Sequence, residues 1–364
     1  MLPVAARGCL VIADISGYTD YVVASPLAHA EDVMADVTAT VVDRLERVIR
    51  VNKLEGDAAF GYALEGDLDG TMLLDVIDEC YFAFRGRLRG IEHSISCDCA
   101  ACTKLPDLDL KFLVHFGDFI LRSGERGEEL TGHDVIIAHR LLKNSVGAGL
   151  GLRGYVLITN AAAEALRIDP AALGMRPHSE RYDGVGEVAG FAADLEERWE
   201  SERERRRVYV GHEEAAFEVE VLLPGSPALV WEYLTAPDKR MLWQADQVAE
   251  APPGGRRGAG TTSFCVDGRA RIYDEILDWR PFDYFTERRT VRGSVGVVLT
   301  TELEPVEGGV RVVTRIRRSH GRERLGWLIA GRSFRRGLER RYASLGRLLP
   351  TRIPPTKRLP IAAA

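Results

Sequence analysis

Chemistry in this chain concentrates in four short segments. Cys97-Asp98-Cys99-Ala100-Ala101-Cys102 places three thiols within six residues, shortly after His93. Thiolates at that density suit tetrahedral Zn²⁺, with His93 as a fourth ligand. A reduced surface loop or a redox-sensing trio is the alternative reading. The other segments are Ala13-Asp14-Ile15-Ser16-Gly17-Tyr18-Thr19, Lys53-Leu54-Glu55-Gly56-Asp57, and Gly132-His133-Asp134-Val135-Ile136-Ile137-Ala138-His139-Arg140-Leu141. Taken singly, an Asp after a strand or a Gly-Asp hairpin tip is ordinary turn chemistry. Their meaning depends on the elements that carry them.

Residues 9–13 (CLVIA) are short, apolar and β-rich, and they end at Asp14. That pattern predicts a buried strand followed by a turn. Met34, Val37, Val41, Leu45 and Val48 recur at spacings of three and four, so an amphipathic helix is expected over about 28–50. NKLEGDAAFGYAL reads as a hairpin around Gly56, and a second helix is expected over about 70–88. Leu108, Leu110, Phe112, Val114 and Phe116 alternate as in a strand. Gly132 precedes a third helix, DVIIAHRLLKNS, and GYVLIT (154–159) is another strand. The alternation of strands and helices is the ferredoxin-like α+β pattern.

The three motifs, in this order, resemble class III adenylate/guanylate cyclases over about residues 1–195. Within them the chain is most similar to a divergent bacterial subgroup with a Cys-x-Cys-x-x-Cys insert and an HRLLKN helix. The resemblance implies that Asp14 and Asp57 bridge two divalent cations, Mg²⁺ or Mn²⁺, on a nucleoside triphosphate. It implies that Arg140 stabilises phosphate charge, that Lys53 contacts the base with Glu129 as its partner, and that the site forms across a homodimer. Two family features are missing. The ribose-orienting Asn position is Ile136, which cannot hydrogen-bond a ribose, and no late Lys for the triphosphate stands near Tyr182–Val188. Either an altered cyclase or a nucleotide-binding protein without turnover fits this combination.

From Ala215 the pattern changes to FEVEVLL, a helix opened by Ser226 and Pro227, several long strands, and a last helix over about 325–348. This order resembles the helix-grip START-like/SRPBCC superfamily, which implies an apolar cavity for a hydrophobic small molecule or lipid. Trp279, Phe264, Tyr284, Trp327 and Phe334 are its expected lining, with ordinary core packing as the alternative for each. Arg315, Arg317 and Arg318 read as a solvated face. No catalytic His/Asp/Glu cluster stands out in this half. Cys9, Cys80 and Cys265 lie in apolar elements and read as packing residues.

Charge supports the same division. From Val208 onward there are 25 Lys and Arg against 19 Asp and Glu; before it there are 23 against 35. The expected organisation is a cyclase-like domain (1–195), a solvated charged linker helix (196–207), a START-like domain (208–349) and a disordered tail (350–364). The basic excess is too modest for a nucleic-acid partner. No apolar run reaches the roughly 18 residues of a transmembrane segment. Arg7 and Asp14 argue against a signal peptide, so a cytoplasmic protein is expected.

Overall fold

The computed structural model describes residues 4–24, 27–94, 104–124, 127–205, 207–268, 270–291, 296–318 and 323–349. The chain divides into two compact units, residues 1–205 with 254–256, and residues 206–253 with 257–364.

The first unit is built on β1 (Val4–Ser16), α1 (Tyr18–Ala24), α2 (Leu27–Leu45), β2 (Arg50–Glu55), β3 (Ala58–Leu64), α3 (Gly70–Ser94) and β4 (Asp109–Gly124). There follow β5 (Gly127–Thr131), α4 (His133–Arg140), α5 (Val146–Leu150), β6 (Tyr155–Thr159), α6 (Asn160–Ala165), β7 (Arg176–Tyr182), β8 (Gly186–Asp194) and α7 (Leu195–Glu204). Sheet order is β2-β3-β1-β4-β6-β8-β7, with β5 paired to β4. The antiparallel β2-β3-β1-β4 core is the ferredoxin-like arrangement expected from sequence. β1 is central because both its faces are apolar: Cys9 through Ala13 are each at most 2% exposed. Alternation then sorts its side chains. Leu10 and Ile12 join Phe60, Leu113, Val135 and Ala138 in one cluster.

Two expectations need correction here. The HRLLKN helix ends at Arg140, and a 3₁₀ turn over Leu141–Lys143 follows it. The expected solvated linker is α7, which is attached to α3. Asp194 caps its first turn. Arg198 bonds Asp78 at 2.9 Å, Arg85 bonds Glu196 at 2.7 Å, and the Trp199 ring lies 5.4 Å from Phe82. Composition hid this packing because one tryptophan and several ion pairs carry it.

The second unit is one antiparallel sheet, in order β10-β11-β12-β13-β14-β15-β9. Its elements are β9 (Ala215–Leu223), α8 (Pro227–Thr235), α9 (Pro237–Arg240), β10 (Gln247–Ala251), β11 (Thr262–Asp267) and β12 (Ala270–Arg280). β13 (Tyr284–Val291), β14 (Val297–Val306), β15 (Gly309–Arg317) and α10 (Glu323–Leu348) complete it. Ser226 caps α8 by accepting from the Leu229 amide, as the Ser-Pro pair predicts. The α8 residue Trp231 is 1% exposed and packs its ring 4.9 Å from Trp279 and 5.7 Å from Phe285. Leu338, Tyr342 and Leu345 of α10 are buried at helical spacing. This is the expected helix-grip fold. Among the described residues no helix is long and apolar enough to cross a membrane.

Candidate functional site

In the first unit, strand register assembles a row of polar side chains at one end of the sheet. Asp14 on β1 lies opposite Lys111 on β4, and Lys111 lies opposite Tyr155 on β6. The Lys111 ammonium is 2.9 Å from the Asp14 carboxylate. The β2–β3 hairpin brings Asp57 to the same end, where the Ile15 amide donates to the Asp57 carbonyl at 3.2 Å. Gly56 makes that turn at φ 65°. Burial and then the charge of Asp14 raise the Asp57 carboxyl above the usual aspartate range, with Lys111 pulling the other way. Asp14 and Asp57 are therefore a like-charge pair partly neutralised by one lysine. Gly17, at φ 86°, closes the turn after β1; a Cβ there would lie 2.9 Å from the Asp107 carbonyl oxygen.

The remaining predicted residues sit on surrounding elements. Lys53 pairs with Glu55, and its ammonium lies 5.9 Å from the Phe60 ring centroid. Glu55 also faces His139 at 3.4 Å, and the His139 ring packs tilted against Phe60, with centroids 4.8 Å apart. Glu129 is exposed on β5, so within one chain Lys53 is held by Glu55 and is not brought to Glu129. Arg140 is exposed at the end of α4, without a hydrogen bond or ion pair among the described residues. Ile136, one turn earlier, is 52% exposed. His93 lies at the end of α3, but its side chain falls outside the described residues, as do Cys97, Cys99 and Cys102.

α4 is anchored by a network that sequence reading missed. His115, 5% exposed, bonds Thr159 at 3.0 Å through Nδ1 and Asp134 at 3.2 Å through Nε2. The Asp118 amide donates to the other Asp134 oxygen at 2.7 Å. Burial pushes the His115 ring below its ordinary pKa against the pull of Asp134, which favours the neutral form. Asn144 is held in place as well: its carbonyl accepts from Tyr155 at 2.8 Å and from the Val146 amide at 3.0 Å, and its amide donates to Leu141. It positions the turn after α4, with one amide hydrogen left uncommitted by these bonds.

The side chains that could hold a divalent ion are Asp14 and Asp57. Among the described residues no cluster of three or more His, Cys, Asp or Glu forms. Two adjacent carboxylates suit Mg²⁺ or Mn²⁺, which keep several coordination sites for phosphate and water. Their mutual repulsion is what such a cation relieves, so the residues fit the group.

The second unit holds a narrow cleft of about 40 Å³ that opens to solvent. Trp279, Phe285, Leu299 and Leu338 wall it; Arg240, Glu287 and Arg289 also face it. Of the expected lining residues, only Trp279 qualifies. Phe264 is 45% exposed, Tyr284 is buried against Asp278, Phe334 packs on Phe217, and the Trp327 side chain is outside the described residues. Beside this lining lies a buried charge cluster that sequence reading did not single out. Arg289 bonds Asp274 at 2.8 and 3.2 Å and Glu287 at 2.8 Å, while Arg240 reaches Asp274 at 3.2 Å and Glu250 at 3.3 Å. Burial raises the Glu287 carboxyl to about 7, with Arg289 opposing the shift. Arg315 is not a solvated face either: it pairs with Glu302 and Glu218 and bonds Tyr209.

One relative, the uncharacterized protein Rv2561/Rv2562 of Mycobacterium tuberculosis, is 32% identical over 162 residues, covering 44% of this chain and 73% of that protein. The chain belongs to that protein's family. A family described as a protein of unknown function (DUF2652) matches residues 34–149. The family described as polyketide cyclase/dehydrase and lipid transport matches residues 214–349 of this family member. Two solved structures are similar at low identity. The guanylyl cyclase Cya2 is 13% identical with a TM-score of 0.41, over 53% of this chain and 93% of its own. The adenylyl cyclase CyaB from P. aeruginosa is 10% identical with a TM-score of 0.37, over 53% and 97%.

Proposed function

We propose that the first unit binds a nucleoside triphosphate, with Mg²⁺ or Mn²⁺ held by Asp14 and Asp57, and that it works as a homodimer. The second unit binds a hydrophobic small molecule or lipid, and the two roles divide near residues 196–207. The observation that carries the nucleotide reading is the like-charge carboxylate pair at the end of β1. An acid raised by burial and then by its neighbour's charge costs stability and is typical of functional sites. Bound metal would supply Lewis-acid activation of a ribose hydroxyl and neutralise phosphate charge. The chain's own residues do the rest. Lys111 holds Asp14 before nucleotide arrives. The exposed Arg140 guanidinium is available to phosphate, and Lys53, once released from Glu55, would join the exposed Glu129 at a base presented from a second copy.

A second reading, nucleotide sensing without turnover, is favoured by Ile136 at the ribose-facing position. Product analysis after incubation with ATP or GTP and Mn²⁺ or Mg²⁺ separates the two, with Asp57→Ala as control. Cyclic nucleotide that disappears in the variant supports a cyclase. Nucleotide binding without product, lost in the variant, supports a sensor. No nucleotide binding at all refutes both.

A further inference from the structure

The carboxylate pair at the end of β1 already has a cation of its own. Lys111 on β4 is the register partner of Asp14 on β1 and of Tyr155 on β6. Paired residues on neighbouring strands project from the same face of a sheet, so the three side chains stand in one row. The Lys111 ammonium is 2.9 Å from Asp14 Oδ2, and the two side chains are only 17% and 14% exposed. Lys111 also acts on Asp57, where its charge opposes that of Asp14. Tyr155 is 4% exposed and donates its hydroxyl to Asn144, so it does not compete for the Asp14 carboxylate.

Two carboxylates and one ammonium leave a net charge of about minus one, less than a divalent ion finds at a bare pair. The oxygen that Lys111 occupies is one that Asp14 would offer to such an ion. The ammonium cannot withdraw far, because the Lys111 backbone is laddered to β1 on one side and β6 on the other. An ion arriving alone therefore meets a positive charge a few ångströms away, in a partly desolvated site. A triphosphate arriving with it would bring the negative charge to receive the displaced ammonium.

We propose that Lys111 is a built-in counter-cation that holds the Asp14–Asp57 pair against free divalent ions, so that metal is retained only together with the triphosphate. This rests on the reading of Asp14 and Asp57 as the ligands of the ion. The test follows Mn²⁺ binding to the full-length protein by the electron paramagnetic resonance signal of free Mn²⁺, without nucleotide. Lys111→Met should bind Mn²⁺ at least about tenfold more tightly than the parent, since repulsion between a divalent ion and an ammonium a few ångströms apart exceeds that factor even at an effective dielectric of about 20. Lys111→Gln should show the same gain, which guards against a packing effect particular to methionine. Lys111→Arg keeps the charge and should stay as weak as the parent. Adding Asp14→Asn to Lys111→Met should remove the gain. Thermal melts give a second readout: Mn²⁺ alone should raise the Tm of Lys111→Met, whereas the parent should need Mn²⁺ with ATP. Equal or weaker Mn²⁺ binding in both neutral variants, or a gain that survives Asp14→Asn, would overturn the proposal and leave the metal reading standing. If Mn²⁺, with or without ATP, neither binds nor shifts the Tm of any of these proteins, the metal reading falls and the proposal with it.

Discussion

Gly117 offers a sharp test of how α4 is held. A Cβ built on it would lie 2.2 Å from Asp134 Cγ and 2.3 Å from its Oδ2. Gly117→Ala must therefore push the Asp134 carboxylate away, breaking its bonds to His115 and to the Asp118 amide. Overpacking of this kind costs about 1–3 kcal/mol. Leaving a buried His115 nitrogen unpaired costs a further 1–3 kcal/mol, roughly. The stiffer unfolded chain returns about 0.4–1 kcal/mol. The net expectation is a loss of about 2–4 kcal/mol. For a unit of this size that lowers Tm by about 5–15 °C. Scanning calorimetry on the full chain, following the transition that Gly117→Ala shifts, reads it directly. Gly149→Ala is the control, since nothing lies within 4 Å of its Cβ; it should be neutral or slightly stabilising. In an Asp134→Ala background the Gly117→Ala penalty should shrink, because the clashing carboxylate is gone. A Gly117→Ala protein melting within about 2 °C of the parent, or an undiminished penalty in that background, refutes the clamp.

Other consequences follow from the same geometry. Asp57 is raised in the native state, so folding binds its proton more tightly and its contribution to stability is lost as pH rises from the ordinary value of about 3.9 through the raised one. Asp57→Asn should accordingly raise Tm at pH 7 and lose that advantage near pH 4; a lower Tm at pH 7 contradicts the strained pair. Arg289→Met leaves Asp274 with one partner fewer and should destabilise the second unit by about 3–5 kcal/mol in urea unfolding, whereas an exposed pair such as Arg335–Glu339 should cost less than about 1 kcal/mol. Trp199→Ala removes the ring between α7 and α3 and should cost about 2 kcal/mol, with increased amide exchange confined to α7. A solvated helix would show neither effect.

Much of the fold was legible in the chain itself. The apolar run before Asp14, the three-four spacing from Met34 to Leu45, and the Gly56 hairpin each encode an element locally, because burial repeats with the period of the backbone. The Ser226-Pro227 helix start is local in the same sense. Asp14, Asp57 and Arg140 were singled out by motif order. What no local pattern carries is cross-strand register. Lys111 and Tyr155 join Asp14 only because β4 pairs with β1 on one side and β6 on the other, across gaps of 97 and 44 residues in the chain. The same holds for Arg240, Asp274, Glu287 and Arg289, which three separate elements bring together. One signal for them was present: Asp274 shares the inward phase of Ile272 on an alternating strand, and an acid in that phase must find a cation. The solvated reading of α7 failed for the converse reason, since charge-rich composition reports average polarity and not which ion pairs meet a neighbouring helix. Sequence by itself determined the elements and their order; tertiary structure decided which distant side chains share a dielectric environment, and therefore which of them are charged, neutral or free to act.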